Sequence, residues 1–247
     1  MLEAAMQRSD GTVEVEKPKR IGADEQIAPK RRWESVDDAL VRMALPLALQ
    51  PIHDLGAPNV AEAISELIGL RRTWGRDYEE GVQLWVLIHR PDAPLRELGQ
   101  AISKALCGDA NALITADCAV AEHDGDYLFG APPGYQGYLE GGIISNHVKR
   151  RPESVVVLQN FEFADDSTLG EMHLVARKPT GRVWGTRGGD RSEVPLSDAH
   201  FVLATTRTFS EEGDDPRATF INWLKRARPD YQHWYGHGIT IEAKVLV

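Results

Sequence analysis

The glycine- and proline-rich segment 130–142, GAPPGYQGYLEGG, contains tyrosines whose setting favours contact with a partner over burial. Tyr135 and Tyr138 stand among glycines, which leave the backbone free to hold an aromatic ring away from a folded core. An exposed tyrosine offers a partner a large apolar face and one hydroxyl group. We therefore expect polypeptide or partner binding by the middle of the segment, which comprises Gly134, Tyr135, Gln136, Gly137 and Tyr138. The alternative is a loop that only packs against its own domain.

Other sets of residues that could bind a metal or catalyse a reaction give weaker signals. His233 and His237 have the helical spacing of a metal pair, but Gly236 and Gly238 disfavour a helix and no acidic third ligand lies near. The two cysteines, Cys107 and Cys118, have no second pair with which to form a zinc site, so we expect reduced thiols in or near the core. No arrangement of Ser-His-Asp, Cys-His or paired carboxylates stands out. We expect no metal and no catalytic residue.

Short apolar runs alternate with helical stretches from residue 82 onward. The runs are β-rich and almost continuously apolar, as expected of strands buried on both faces: Val82–Ile88, Ala112–Thr115, Ser154–Leu158 and His200–Ala204. The intervening stretches predict helices at 94–107, 143–151 and 166–177. This alternation predicts an α/β domain with a mainly parallel sheet. The segment 181–196 predicts a hairpin-like insertion, and the final GITIEAKVLV predicts an edge strand.

The N-terminal part differs in character. Residues 1–33 are rich in charge and have almost no periodic apolar positions, so we expect a flexible tail ahead of one folded domain at 34–247. Ser35–Leu40 begins like a capped helix, which Pro46 and Pro51 should interrupt or end. A second helix is predicted from Pro58 to Arg72 because its apolar residues share one face.

Composition limits the class of partner. The net charge of −9 argues against general affinity for nucleic acid or anionic membranes, since both need a basic face. No run approaches the roughly 18 apolar residues of a membrane span, and the N-terminus lacks the layout of a signal peptide. We therefore expect a cytoplasmic protein with a substantial core, because 42% of its residues are hydrophobic.

The GAPPGYQGYLEGG segment, followed by Val148-Lys-Arg-Arg-Pro and the strand SVVVL, resembles the Clp-type AAA+ unfoldases. The hairpin that leads into HFVLATT and the helix PNVAEAISELI extend this resemblance over about residues 53–223. The resemblance implies a three-layer α/β fold, the large subdomain of a P-loop NTPase of the AAA+ type. It also implies that Gly134–Gly137 is the element that lines the pore of a ring and grips an unfolded polypeptide.

The same resemblance places a phosphate-binding loop at His89–Arg96, HRPDAPLR. Such a loop needs glycine N–H groups around phosphate, a lysine for the β and γ charges, and a hydroxyl on Mg²⁺. Here Pro94 stands in place of a glycine, Leu95 in place of the lysine and Arg96 in place of the hydroxyl residue. Arg90 and Arg96 could still attract an anion, so residual ATP and Mg²⁺ binding remains an alternative to the absence of any cofactor.

Further positions of the resemblance also depart from an active ATPase. The strand SVVVL should end in two carboxylates but ends in Gln159-Asn160, whose amides cannot serve as a base. Arg207 takes the place of a polar sensor asparagine, and Trp223 that of an arginine finger. The chain continues for only 24 residues after Trp223, so we expect the helical small subdomain to be lacking.

These residues predict a non-catalytic, Clp-like pseudo-ATPase that acts as a protein-binding, adaptor or regulatory module. Its expected partner is a polypeptide, an active Clp-type ring or another copy of itself. The alternatives are an ATP-dependent unfoldase subunit with divergent nucleotide motifs, and a structural component of a larger assembly in which the tyrosine loop has no role.

Overall fold

A computed structural model describes residues 32–74, 83–120, 124–131, 140–177, 182–184, 193–196, 198–206 and 241–245. Six helices occupy this part of the chain: α1 (Asp38–Asp54), α2 (Pro58–Trp74), α3 (Leu95–Cys107), α4 (Gly125–Phe129), α5 (Ile143–Arg150) and α6 (Asp166–Arg177). Its strands are β1 (Gln83–Ile88), β2 (Leu113–Asp117), β3 (Val155–Gln159), β4 (Arg182–Trp184), β5 (Glu193–Pro195), β6 (His200–Thr205) and β7 (Ile241–Val245). A 3₁₀ turn, Phe161–Phe163, links β3 to α6.

The main sheet has five parallel strands in the order β2-β3-β6-β1-β7. Gln83 pairs with His200, Leu84 with Ile241, and Leu113 with Val155. The expected α/β fold with a parallel sheet is confirmed, and so is the edge position of the last strand. The short β4 and β5 pair antiparallel within the segment predicted as a hairpin.

Alternation along the strands divides the core into two layers of side chains. On one face of the sheet, Leu84, Val86 and Phe201 belong to a cluster that includes residues of α4, α5 and α6. On the other face, Trp85 and Val202 belong to a cluster with residues of α1, α2 and α3. The domain is therefore a three-layer arrangement with helices on both faces of the sheet, as the sequence predicted.

The first helix differs from the prediction, because it runs through both prolines to Asp54. Asp37, rather than Ser35, caps it by accepting a hydrogen bond of 2.8 Å from the N–H of Ala39. Pro46 and Pro51 are exposed. Each removes one helical N–H bond, but the carbonyls deprived of it belong to Arg42 and Leu47, which are also exposed, so water can satisfy them.

The folded part of the chain includes residues assigned by sequence to the tail. The Trp33 side chain is buried, and its Nε1–H donates a 2.8 Å hydrogen bond to the carbonyl of Ala105 near the end of α3. The Arg32 guanidinium lies 4.6 Å from the centre of the Trp33 ring. Grouping by contacts divides the chain into Met1–Lys30 and Arg31–Val247.

Candidate functional site

The turn between β1 and α3 is where the sequence predicted a phosphate-binding loop. Strand β1 ends at Ile88 and helix α3 begins at Leu95, so the turn has the strand–loop–helix context that such a loop requires. Pro94 takes the position just before the helix, and no side chain caps the helix there. His89, Arg90, Pro94, Leu95 and Arg96 are thus placed together at the carboxyl end of β1.

Four residues of this turn have no N–H group available for an anion. Pro91 and Pro94 have none. The N–H of Ala93 donates to the carbonyl of Arg90 at 3.0 Å, and that of Leu95 donates to the carbonyl of Ala93 at 2.8 Å. Two N–H groups of the turn are therefore bonded within it and two residues have none, whereas a phosphate-binding loop directs its N–H groups at the ligand.

The side chains of the turn do not form a phosphate-binding site in place of the N–H groups. Leu95 carries no charge, and Arg96 is exposed at the start of α3. Arg90 lies 3.6 Å from Asp92 in an ion pair whose two side chains are largely exposed. Exposed pairs of this kind contribute little to stability or to the organisation of a site.

His89 is buried at the start of the turn and ties β1 to β6. The backbone N–H of His89 donates to the carbonyl of Thr205 at 3.0 Å. Its Nδ1 lies 2.7 Å from the carbonyl of Arg90, and because a carbonyl only accepts, Nδ1 is the donor. The Nε2 atom is buried and finds no hydrogen-bond partner within the described residues. The ring takes up space at a position where a phosphate-binding loop has glycine.

The end of β3 brings Gln159 and Asn160 to the same edge of the sheet. Asn160 has a φ of 51°, in the left-handed region that asparagine tolerates better than most residues. Its Nδ2 donates a 2.8 Å hydrogen bond to the Oδ1 of Asp117 at the end of β2. The carbonyl of Gln159 accepts a 2.9 Å bond from the N–H of Cys118. Both residues thus take part in joining β3 to β2.

Glu162, to which the sequence analysis gave no role, connects β3 to β6. Its Oε1 accepts hydrogen bonds from the N–H and the Oγ1 of Thr206, at 3.3 and 3.1 Å. Arg207, the predicted replacement for a sensor residue, follows Thr206 but lies outside the described residues. The ends of β1, β3 and β6 are therefore linked through His89, Thr205, Thr206 and Glu162. Sequence could have flagged Glu162 only as a carboxylate close behind a buried strand.

The polypeptide-binding residues predicted at Gly134–Tyr138 lie outside the described residues, but both flanks of their segment are described. The flanks meet closely: a Cβ atom on Gly142 would lie 2.2 Å from the carbonyl carbon of Phe129 and 2.4 Å from the nitrogen of Gly130. The buried Ser145 Oγ donates to the carbonyl of Phe129 at 2.7 Å, and Asn146 Nδ2 donates to the carbonyl of Glu140 at 2.9 Å. The segment therefore leaves and re-enters the domain at nearly the same place.

Both cysteines are free, as the sequence predicted. Burial, with a contribution from Glu153, raises the pKa of the Cys107 thiol to about 12. Burial, followed by the nearby Asp117, also raises the pKa of Cys118 to about 12. Among the residues that the structure describes, no group of histidine, cysteine and carboxylate side chains is arranged to hold a metal. His233 and His237 fall outside those residues.

No protein-family model matches this chain. Its sequence is similar to the ClpB chaperone of Aquifex aeolicus (strain VF5), with 34% identity over 113 residues, or 45% of this chain and 11% of that protein. It is 32% identical to the ClpB chaperone of Yersinia enterocolitica over 130 residues, or 52% of this chain and 14% of that protein. The negative regulator of genetic competence ClpC/MecB of Bacillus subtilis (strain 168) is 29% identical over 136 residues, 54% of this chain and 16% of that protein.

The fold is similar to that of solved Hsp104 structures. A closed-state reconstruction of Hsp104 with ATPγS and FITC casein aligns with a TM-score of 0.65 and 17% identity, covering 87% of this chain and 37% of that one. An extended Hsp104–casein complex from S. cerevisiae gives a TM-score of 0.62 at 17% identity, covering 86% of this chain and 37% of that one. At this identity the likeness concerns the fold alone.

Sequence similarity to ClpB and ClpC, together with the fold, supports a Clp-type AAA+ module in this chain. The chain spans only 11% to 16% of the length of the curated relatives named above. In the part of the chain that the structure describes, no helix is long and apolar enough to cross a membrane.

Proposed function

We propose that this chain is a non-catalytic, Clp-like AAA+ module, a pseudo-ATPase that acts as a protein-binding, adaptor or regulatory component in the cytoplasm. The observation that carries the proposal is the β1–α3 turn. Its prolines lack N–H groups, and the N–H groups of Ala93 and Leu95 are consumed by bonds within the turn. Leu95 cannot neutralise phosphate charge.

The end of β3 supports the same proposal. Catalysis of phosphoryl transfer depends almost entirely on positioned charge, and an amide supplies neither a charged metal ligand nor a base. The Asn160 amide is moreover engaged with Asp117. The polar residues at this edge of the sheet hold strands together, which is a structural role that needs no nucleotide.

Contact with a polypeptide is the second part of the proposal and rests on Gly134–Tyr138. The close approach of Gly142 to Phe129 and Gly130 supports it, because a loop with fixed ends can present Tyr135 and Tyr138 at a defined place on the domain. The Hsp104 structures similar in fold contain casein. We propose that this chain likewise contacts an unfolded polypeptide, a Clp-type ring or a second copy of itself.

Titration of the purified full chain with a fluorescent ATP analogue, with and without Mg²⁺, tests the first part. We expect no saturable binding up to millimolar nucleotide. We also expect Leu95→Lys to leave this unchanged, because Pro91 and Pro94 still lack N–H groups, those of Ala93 and Leu95 are still used within the turn, and β3 still ends in amides. Saturable Mg²⁺-dependent binding by the wild-type chain would refute the pseudo-ATPase and favour an ATP-dependent unfoldase subunit.

Binding of fluorescein-labelled casein, followed by anisotropy, tests the second part. We expect Tyr135→Ala to weaken binding by at least about fivefold, the loss of one well-placed aromatic contact. Leu95→Lys is the control. Leu95 begins α3, away from the ends of the tyrosine loop, so this variant should bind casein as the wild type does. Equal binding by Tyr135→Ala and wild type would instead favour a structural component in which the loop has no role.

A further inference from the structure

Two exposed aromatic residues lie on elements that follow β2 and β3. Phe163, at the end of the 3₁₀ turn, has 66% of its surface exposed, and Tyr127, on α4, has 43%. Most large apolar side chains in the described part of the chain are buried in the two core clusters. We call the surface formed by Asp124, Asp126, Tyr127, Phe163 and Asp166 the α4–α6 surface.

The two elements that carry this surface are joined tightly. The N–H of Gly125 donates a 2.7 Å hydrogen bond to the Oγ of Ser167, which in turn donates to the Oδ2 of Asp165 at 2.8 Å. A Cβ atom on Gly125 would lie 2.6 Å from the carbonyl carbon of Ser167, so the first turn of α4 touches the first turn of α6. The first turns of α4 and α6 are therefore held together without a partner, and Phe163 precedes α6 by three residues.

Charge on the α4–α6 surface has a single sign. The charged residues of the surface are Asp124, Asp126 and Asp166, and Asp165 is exposed beside them, whereas Glu162 is bonded to Thr206 and the basic residues of α6, His173 and Arg177, come later in the helix. Burial raises the pKa of Asp126, and the neighbouring Asp124 and Asp165 raise it further. Burial likewise raises the pKa of Glu171, with a contribution from Asp126. These carboxylates are thus close enough to repel one another, and a cation placed among them would relieve that repulsion.

The structure assigns to the α4–α6 surface the binding of a positively charged polypeptide segment that also bears apolar side chains. Lysine and arginine suit it on both counts, because their aliphatic stems pack on aromatic rings while their charged ends pair with carboxylates. A bare metal ion fits less well, since the described residues show no metal-binding grouping. An acidic peptide or nucleic acid is disfavoured by the charge.

This inference rests on the proposed function as a polypeptide-binding module, but it concerns residues outside the Gly134–Tyr138 loop. The two contacts differ in chemistry. The loop offers tyrosine rings among glycines, whereas the α4–α6 surface selects for positive charge. The surface would therefore decide which segments of a partner are held beside the loop.

Anisotropy of a labelled 12-residue peptide of alternating lysine and leucine, titrated with the full chain, tests the inference. The matched probe has glutamate in place of lysine. We expect binding of the lysine peptide to weaken at least about fivefold in Phe163→Ser and in Asp126→Asn/Asp166→Asn, to weaken with added salt, and to be absent for the glutamate peptide. Leu47→Ser is the control. Leu47 is 76% exposed on the distant helix α1, so this variant should bind the lysine peptide as the wild type does.

Several outcomes would overturn the inference: no binding of the lysine peptide by the wild type, equal binding by Phe163→Ser, or an equal loss in Leu47→Ser. Tyr135→Ala separates the two proposals. If only Phe163→Ser loses the lysine peptide, the α4–α6 surface stands whatever casein shows for the loop. If Tyr135→Ala loses casein binding and Phe163→Ser still binds the lysine peptide as the wild type does, the loop proposal stands and the proposal for the α4–α6 surface fails. Circular dichroism of each variant confirms that it is folded.

Discussion

The side-chain amide of Asn160 donates a 2.8 Å hydrogen bond to the carboxylate of Asp117, and so joins the carboxyl ends of β3 and β2. Asp117 also accepts a 2.9 Å bond from the N–H of Ala119, which fixes the orientation of its carboxylate. The resemblance to Clp-type unfoldases predicts a catalytic carboxylate at this position, and here an amide is bonded to an acid.

This pairing predicts that a carboxylate cannot simply be restored at residue 160. In Asn160→Glu a second carboxylate would face Asp117, and glutamate tolerates a φ of 51° less well than asparagine. We expect the free energy of unfolding to fall by about 1–3 kcal/mol, measured by urea denaturation. If the proposed function is correct, the variant should show no nucleotide turnover.

Two further variants isolate the cause. Asn160→Gly keeps the backbone conformation and removes only the hydrogen bond, so it should cost less than Asn160→Glu. The double variant Asp117→Asn/Asn160→Glu should recover part of the loss, because an amide again faces a carboxylate. If Asn160→Glu is as stable as the wild type, the Asp117 contact does not organise this edge of the sheet.

A second prediction concerns Trp33, which the sequence analysis assigned to the flexible tail. Trp33 is only 6% exposed and bonds the carbonyl of Ala105. We expect Trp33→Ala to lower the free energy of unfolding by about 3–5 kcal/mol, as for other buried tryptophans. Leu47→Ala, at a residue that is 76% exposed, should change it by less than about 0.5 kcal/mol. Equal effects of the two changes would place Trp33 outside the core.

Sequence predicted most of the fold because the elements carry their signals locally. The helix expected at 166–177 is found at Asp166–Arg177, and the strand expected at Val82–Ile88 is found at Gln83–Ile88. The prolines of α1 misled the prediction, since their effect depends on whether the freed carbonyls face water. Burial of Trp33 was missed because a single aromatic residue in a charged stretch has no periodic pattern to reveal it.

The site was less predictable than the fold. The resemblance placed His89–Arg96 after the first strand and Gln159-Asn160 at the end of SVVVL, and in the structure they follow β1 and end β3. The contacts of these residues could not be predicted, because the bonds of Asn160 with Asp117 and of Glu162 with Thr206 join residues 43 and 44 positions apart. Such pairs depend on the register of neighbouring strands, which no local pattern encodes.

Cysteine reactivity provides a third prediction. With a pKa raised to about 12, each thiol should be ionised in only about one molecule in ten thousand at pH 8. We expect iodoacetamide to modify the native chain very slowly at both positions and rapidly in urea, with mass spectrometry counting the modified sites. Rapid modification of the native chain at Cys118 would show that the carboxyl end of β2 opens to solvent.

The last prediction concerns the base of the tyrosine loop, where glycine is required for a packing reason. A Cβ atom on Gly142 would lie 2.2 Å from the carbonyl carbon of Phe129, and backbone cannot move aside as a flexible side chain can. We expect Gly142→Ala to lower the free energy of unfolding by about 1–3 kcal/mol through local overpacking. It should also weaken casein binding, because the two ends of the loop can no longer meet in the same way.

Gly69→Ala is the matched control for that change. Gly69 lies within α2, and a Cβ atom there would meet nothing within 4 Å, so alanine should stabilise the helix by about 0.5–1 kcal/mol. The two substitutions add the same methyl group, so opposite signs in urea denaturation would attribute the loss at residue 142 to the contact with Phe129 and Gly130. If both variants gain stability, the flanks of the loop are not held together, and the argument that the domain presents Tyr135 at a fixed place loses its support.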